Sequence, residues 1–229
     1  MAKKTVKEEP VQGANNIEEA LSRSEQFIEK YKNVMVGAVV AVIVIVAGAM
    51  LYKSKVVEPK EQRVAEYLFP GENYFMAGQF EVALNGDNMD FMGFEEIARN
   101  YGGTKAGNLA NAYAGLCCAQ LDSCEAAISY LKKFKGDDQM VAPSVMRALA
   151  DCYVTVGQND KAIALYQKAA KKADNGLVSP QCLMQAGLVY ESMGKNADAL
   201  KMYKEIQAKY PASSEGIDIE EYITRVTSK

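Results

Sequence analysis

No histidine and no tryptophan occur in these 229 residues. The first absence removes the commonest general base, the Ser-His and Cys-His nucleophile arrangements and most catalytic zinc sites together. Cysteine is sparse and irregular: Cys117, Cys118, Cys124, Cys152 and Cys182 are odd in number and show neither a CxxC pair nor metal-ligand spacing. Most stand among Ala and Leu on helical patterns, where Cys behaves as a small buried hydrophobe. A bridge from Cys117 or Cys118 to Cys152 stays open for an oxidising compartment. Charge of one sign is also lacking. Twenty-six basic and twenty-nine acidic residues leave a net −3. Residues 1–33 carry six of each, so the excess belongs entirely to residues 34–229. There is no net-basic face to hold nucleic acid and no reason to expect flat binding to anionic lipid. Alternating β-branched runs of the kind strands show are missing too.

Candidates for chemistry are few. Asp137-Asp138 and Glu95-Glu96 read as solvated acids. Gly102-Gly103-Thr104-Lys105 has the ending of a phosphate loop without its upstream glycine or a preceding strand, and reads as a turn with Thr104 capping a helix. No catalytic residue, cofactor, metal ligand or small-molecule substrate is expected, and the chain reads as a non-enzyme.

One long apolar run is present. Val34 to Leu51 has no charge over eighteen residues, with Lys30 and Lys32 on one side and Lys53 and Lys55 on the other. As a helix it measures about 27 Å, near the ~30 Å hydrocarbon core of a bilayer. Ala47-Gly48-Ala49 has the look of a leader cleavage site, but the preceding tail is long and carries as many acids as bases, and the run continues through Leu51. An uncleaved single-pass anchor is the reading, with Val34, Gly37, Ala41, Gly48 and Leu51 in the span. Gly37-x-x-x-Ala41 is a weak packing signal. Flanking charges, three basic residues before and four after, leave the orientation undecided.

Around the anchor, residues 1–14 read as a disordered tail, and 15–58 as an amphipathic helix, capped by Asn15-Asn16, continuing into the span until Pro59 ends it. The apolar face of Ile17, Leu21, Phe27 and Tyr31 suits lipid headgroups and a membrane-protein partner equally. Residues 59–229 read as helix–turn–helix throughout, with breakers at Pro70-Gly71, Gly86, Gly102-Gly103, Lys135-Gly136, Pro143, Gly157, Asn175-Gly176, Pro180, Gly194 and Pro211.

Internal repetition sets the fold. Placing Gly157 over Gly194 aligns Ala150 with Gly187, Tyr153 with Tyr190, Ala162 with Ala199 and Tyr166 with Tyr203, a step of 37 residues. A step of 35 back from Ala162 reaches Ala127, with Gly115 beneath Ala150. The period and the small–x–x–Tyr…Gly…Ala–x–x–x–Tyr spacing resemble a tetratricopeptide repeat. The expected fold is all-α: one transmembrane helix, then a tetratricopeptide-like solenoid of about four helix–turn–helix units, the first (60–101) divergent, plus a capping helix bearing Ile217, Tyr222, Ile223 and Val226. Residues expected to face the groove are Leu109, Ala112, Leu116, Arg147, Asp151, Val154, Gln181, Met184, Leu188 and Glu191, an apolar strip suited to a helix or an extended polypeptide.

The stretches FIEKYKNVMVGAVVAVIVIVAG (Phe27–Gly48), ALNGD (Ala83–Asp87) and YGGTKAGNLANAYAGLC (Tyr101–Cys117), with the order tail, anchor, array, are similar to the Bacteroidetes branch of the bacterial YfgM-like family, ancillary subunits of the SecYEG translocon. That resemblance implies an inner-membrane protein with a cytoplasmic N-terminus and a periplasmic C-terminal domain. It also implies partnership with SecYEG, with a PpiD-like periplasmic chaperone and with emerging secretory chains. The alternative is a general cell-envelope assembly or division scaffold with other protein clients.

Overall fold

The computed structural model describes residues 12–52, 54–55, 58–87 and 89–228. Among them it shows twelve helices and no strand. The chain divides into two compact units, Met1–Glu58 and Pro59–Lys229.

The first unit is built on α1 (Gln12–Tyr52). This helix opens ahead of the Asn15-Asn16 pair expected to cap it, so those residues lie in its first turns. Most of the expected disordered tail (residues 1–11), and the side chains of the Ile17–Phe27 face, lie outside the described residues. Tyr31–Tyr52 is long and apolar enough to cross a membrane, with a mean hydropathy of 2.9. Val34, Gly37, Ala41, Gly48 and Leu51 are all exposed on it. Pro59 does not end this helix: α1 stops at Tyr52, and Pro59 is the second residue of α2 (Glu58–Met76). In a first turn the missing N–H of proline is no loss.

The second unit continues with α3 (Phe80–Asn85), α4 (Phe94–Tyr101), α5 (Lys105–Gln120), α6 (Cys124–Leu131), α7 (Val141–Thr155), α8 (Asn159–Ala173), α9 (Val178–Ser192), α10 (Asn196–Lys209), α11 (Ser214–Ile217) and α12 (Ile219–Thr227). Each helix from α4 to α10 packs on its successor in sequence. The same turn joins the helices of all four pairs. A left-handed residue closes the first helix: Gly78 (φ 72°), Asp122 (56°), Gly157 (74°) and Gly194 (70°). The next amide then reaches back five residues in a Schellman bond: Gln79 to Tyr74 O at 2.9 Å, Ser123 to Cys118 O at 2.8 Å, Gln158 to Tyr153 O at 2.8 Å and Lys195 to Tyr190 O at 2.9 Å. Five residues beyond each left-handed position comes a fully buried alanine: Ala83, Ala127, Ala162 and Ala199. Asp122 occupies the position that glycine holds in the other three, which an Asp tolerates at some cost.

Prolines depart most from expectation. Pro143 and Pro180 are the third residues of α7 and α9 and are fully buried, so they open helices rather than break them. Pro70 lies inside α2, which runs on through Gly71. The lost hydrogen bond is offset by packing. Val64 and Leu68 are buried on this helix, and a Cβ at Gly71 would stand 2.4 Å from the Phe91 ring, so the helix has to continue there for the Phe91 and Phe94 rings to close on it. The expected single capping helix is two, α11 and α12. Ile217 at the break is 72% exposed, and Ile219 takes the buried position beside Val226.

The spacing between the paired helices is set by a small residue facing a large one. A Cβ on Gly187 would lie 2.3 Å from the Tyr203 ring, and one on Gly115 would lie 2.5 Å from Leu131 Cγ. Gly187→Ala is therefore expected to destabilise the second unit by about 1–3 kcal/mol through overpacking, read from the denaturant midpoint of the full chain. Asp122→Gly, by relieving left-handed strain, is expected to be neutral or to stabilise by up to about 1 kcal/mol. A destabilising Asp122→Gly would mean that the turn draws on the side chain.

All five cysteines are free and buried. Burial pushes the Cys117 and Cys182 thiols up from 9.0 to about 12, and raises Cys152 as well, with Cys124 close beside it. The hydroxyls of Tyr166 and Tyr203 are raised in the same direction by burial and by the carboxylates they contact. The folded chain thus keeps protons that the unfolded chain releases, so ν_U − ν_N is negative and stability falls with rising pH. The unfolding midpoint is expected to hold below pH 9 and to drop progressively between pH 9 and about 12. A midpoint independent of pH across that window would contradict the burial of these thiols.

Candidate interaction groove

The groove lies between the first helices of the second and third pairs. Leu109, Ala112, Tyr113 and Leu116 form one wall from α5, and Val141, Ser144, Val145 and Ala148 form the other from α7, around a cavity of about 500 Å³. Arg147 and Met140 complete it. Small residues at Ala112 and Ala148 leave room between the walls. At its rim Met140 is 49% and Val141 47% exposed, adjoining apolar side chains that face solvent.

Entry into α7 is fixed by Asp138. Its Oδ1 accepts from the amides of Met140 (2.8 Å) and Val141 (2.5 Å), and Oδ2 from Ala142 (3.2 Å). Partial burial would raise the Asp138 carboxyl, but those three amides outweigh it and hold it below its ordinary value. Asp138 is therefore a structural cap as well as an exposed acid. One repeat later Asn175 does the same, its Oδ1 accepting from Leu177 (3.0 Å) and Val178 (2.8 Å). Thr104 caps α5, with Oγ1 accepting from the Gly107 amide at 2.9 Å. Inside the groove the Tyr113 hydroxyl is pushed up to about 12 by burial and by the neighbouring Glu72 carboxylate. Its ring stacks on Phe94 at 4.7 Å, so it is held from behind.

Of the residues expected to face a partner, Leu109, Ala112, Leu116 and Arg147 meet in this cavity. Asp151 stands one turn further along α7, where it is held by Arg147 at 3.5 Å and by the Tyr166 hydroxyl. Gln181, Leu188 and Val154 are half-buried and do not line it. Met184 is only 8% exposed and joins the core, so it is not a groove wall. Glu191 is committed to the C-terminal cap: it accepts from the Tyr203 hydroxyl at 2.9 Å and from Arg225 at 2.6 and 3.1 Å. Sequence reasoning missed Met140, Tyr113, Val141, Ser144, Val145 and Ala148. The signal for the first lay in the repeat itself, since Met140 and Leu177, 37 residues apart, are both exposed at the same helix entry.

Among the described residues no cluster of three or more Cys, Asp or Glu is placed to hold a metal ion. The groove presents apolar surface, one guanidinium and no nucleophile–base pair, which suits recognition of a polypeptide.

Comparison with known proteins agrees with this architecture. Two tetratricopeptide repeat models match, at residues 145–177 and 181–213. No curated protein matches the chain. Among solved structures, MamA is similar at 17% identity with a TM-score of 0.54, over 72% of this chain and 92% of that one. A Podosopora anserina kinesin-light-chain protein with nearly identical TPR-like repeats is similar at 13% identity and a TM-score of 0.56, over 73% and 87%. At these identities the likeness is one of fold. The C-terminal part of this chain is a solenoid carrying tetratricopeptide repeats, an architecture suited to protein–protein interaction.

Proposed function

We propose that this chain is a membrane-anchored, non-catalytic adaptor. In this reading the span at Val34–Leu51 tethers the array, and the α5–α7 groove holds a helix or an extended, partly unfolded polypeptide. The observation that carries it is the groove: about 500 Å³, apolar on both walls, with solvent-facing Met140 and Val141 at its rim and one cation at Arg147. Tethering raises the effective concentration of such a groove near any membrane partner. The resemblance to the YfgM-like family extends the reading to an accessory subunit of SecYEG. The N-terminus would be cytoplasmic and the repeat unit periplasmic, with a PpiD-like chaperone and emerging secretory chains as partners. The order of apolar helix and tetratricopeptide array supports that extension.

The test is capture of the full chain from mildly solubilised native membranes through a C-terminal tag, beside a version whose residues 34–51 are replaced by an unrelated span. Translocon subunits and a periplasmic chaperone are expected with the native span and depleted about tenfold without it, a difference of about 1.4 kcal/mol. In the same experiment Leu116→Glu and Ala148→Glu, which place a carboxylate in the groove, are expected to lose the groove's client while retaining the translocon. Absence of translocon subunits from both spans would remove the SecYEG reading. Clients unaffected by either groove variant would remove the groove.

A further inference from the structure

Beyond the groove, the repeats carry a second surface. Two crevices share Lys135: the larger is bounded by α4, the start of α5 and the loop after α6, and the smaller by that loop, by Leu165 and Lys168 of α8 and by Ala142, Val145, Met146 and Leu149 of α7, of which Val145 also lines the groove. One, of about 660 Å³, is lined by Lys105, Lys133 and Lys135; the other, of about 410 Å³, by Lys132, Lys135 and Lys168. Lys135 belongs to both. All five are exposed, and none is ion-paired among the described residues. The one acid lining either crevice is Glu61, and its oxygens already accept from the Lys105 amide at 2.8 and 3.0 Å. On the adjoining loop Asp138 caps the α7 amides and Asp137 stands beside it, both exposed, so the five lysines outnumber the three neighbouring carboxylates.

The shared lysine is pinned. Asn108 bonds the Lys135 backbone both ways, Nδ2 to the carbonyl and Oδ1 from the amide, each at 2.8 Å. The chain that presents three of the lysines is thereby held in place before any ligand arrives.

The next crevice along the array is an internal comparison. It is lined by Lys171 and Lys209 but also by Asp174 and Glu205, and Lys209 pairs with Glu205 at 2.6 Å. At equivalent positions the three crevices carry Lys133, Lys168 and Glu205. A role limited to complementing helix C-termini would not leave two crevices with an excess of lysine and neutralise the third.

We propose that the double crevice docks an extended protein segment in which acidic and apolar residues alternate. The carboxylates meet the five lysines, and the apolar side chains enter the smaller crevice over the half-buried Phe134 and Leu165. A flat bilayer cannot reach into that crevice. Single-stranded nucleic acid would want exposed aromatic faces to stack on, and the lining offers only the half-buried Phe134.

The probe is a fluorescein-labelled peptide of alternating Glu and Leu, titrated by anisotropy against the full chain in nanodiscs of zwitterionic lipid. Saturable binding is expected that weakens as salt rises from about 50 to about 300 mM. Lys133→Glu with Lys135→Glu should weaken it by about tenfold or more. Lys201→Glu with Lys204→Glu, the same change in net charge on an exposed face of α10, should alter it less than about twofold. Leu116→Glu, in the groove, should leave it unchanged, which separates this surface from the adaptor reading. Thermal unfolding checks that each variant folds, and Lys105→Glu with Lys168→Glu substitutes for the first pair if it does not. Equal weakening by both double reversals would overturn the proposal. So would no saturable binding, undiminished binding when Glu is replaced by Gln in the peptide, or binding that appears only when anionic lipid is added to the disc.

Discussion

The second unit depends on a residue with little or no side chain on the first helix of a pair, matched to a large one sixteen positions later on the second. Gly115 faces Leu131 and Gly187 faces Tyr203, and in the pair between them Ala150 and Tyr166, both buried, hold the equivalent positions. Dispersion is short-ranged, so a close approach over a whole helix length yields more than any single large contact. The tyrosines add a requirement that leucine does not. A buried hydroxyl needs a partner. Tyr166 donates to Asp151 from α7, and Tyr203 donates to Glu191 from α9. These acids are not at equivalent repeat positions, since Asp151 aligns with Leu188. The hydroxyl is constrained to find an acceptor, but the turn that supplies it is free. At the C-terminal end the same acceptor also binds Arg225, whose guanidinium lies over Tyr222 at 4.5 Å, so satisfying one hydroxyl also fastens the cap.

The first pair solves the same problem with aromatic rings. The step from Gly78 to Asp122 is 44 residues, against 35 and 37 for the two later steps. The excess is where the second helix breaks into α3 and α4. Asp87 organises the break: Oδ1 accepts from Met89 and Phe91 at 2.9 Å each, and Oδ2 accepts from the Tyr74 hydroxyl at 3.1 Å. The loop thus delivers Phe91 and Phe94 into a cluster with Tyr74, Phe75 and Tyr113, in tilted, edge-on and stacked contacts of 4.7 to 5.9 Å. Pro70 is tolerated because these rings close on α2 around Gly71. A local backbone cost is outweighed by a non-local aromatic one.

Periodic features with a local cause were readable in the sequence. Glycine at 157 and 194 followed by a buried alanine five residues on is a turn requirement, and it marks the repeats without any knowledge of what packs where. The same turn at Asp122 was hidden, because aspartate is common at many other places. The prolines show the limit of local reading. In a first turn and in a breaker proline has the same chemistry, and only the start of the helix tells them apart; at Pro143 and Pro180 that start is set by Asp138 and Asn175 through hydrogen bonds to later amides. Groove positions were legible in part for a geometric reason. On a first helix the core-facing and groove-facing lines are about one residue apart on the helical wheel, near 100°. Leu109 and Leu116 fell on the groove side and Met184 on the core side, although all three are apolar.

Net charge was the least informative quantity. A balance of −3 describes the chain as a whole and gave no sign of an electropositive double crevice, because acids and bases are sorted by position in the repeat. Lysines at 132, 133, 135 and 168 fall just beyond or late in second helices, where the macrodipole favours them and where their cost to folding is low. Acids nearby are drawn off into capping: Asp138 to α7 and Glu61 to the Lys105 amide. A carboxylate that accepts backbone amides is fixed in place and keeps its charge, but forms no direct ion pair with the lysines around it. The local field of a helical repeat therefore depends on where its acids stand: the third crevice is neutralised by Asp174 and Glu205, the latter at the position that Lys133 and Lys168 hold in the other two.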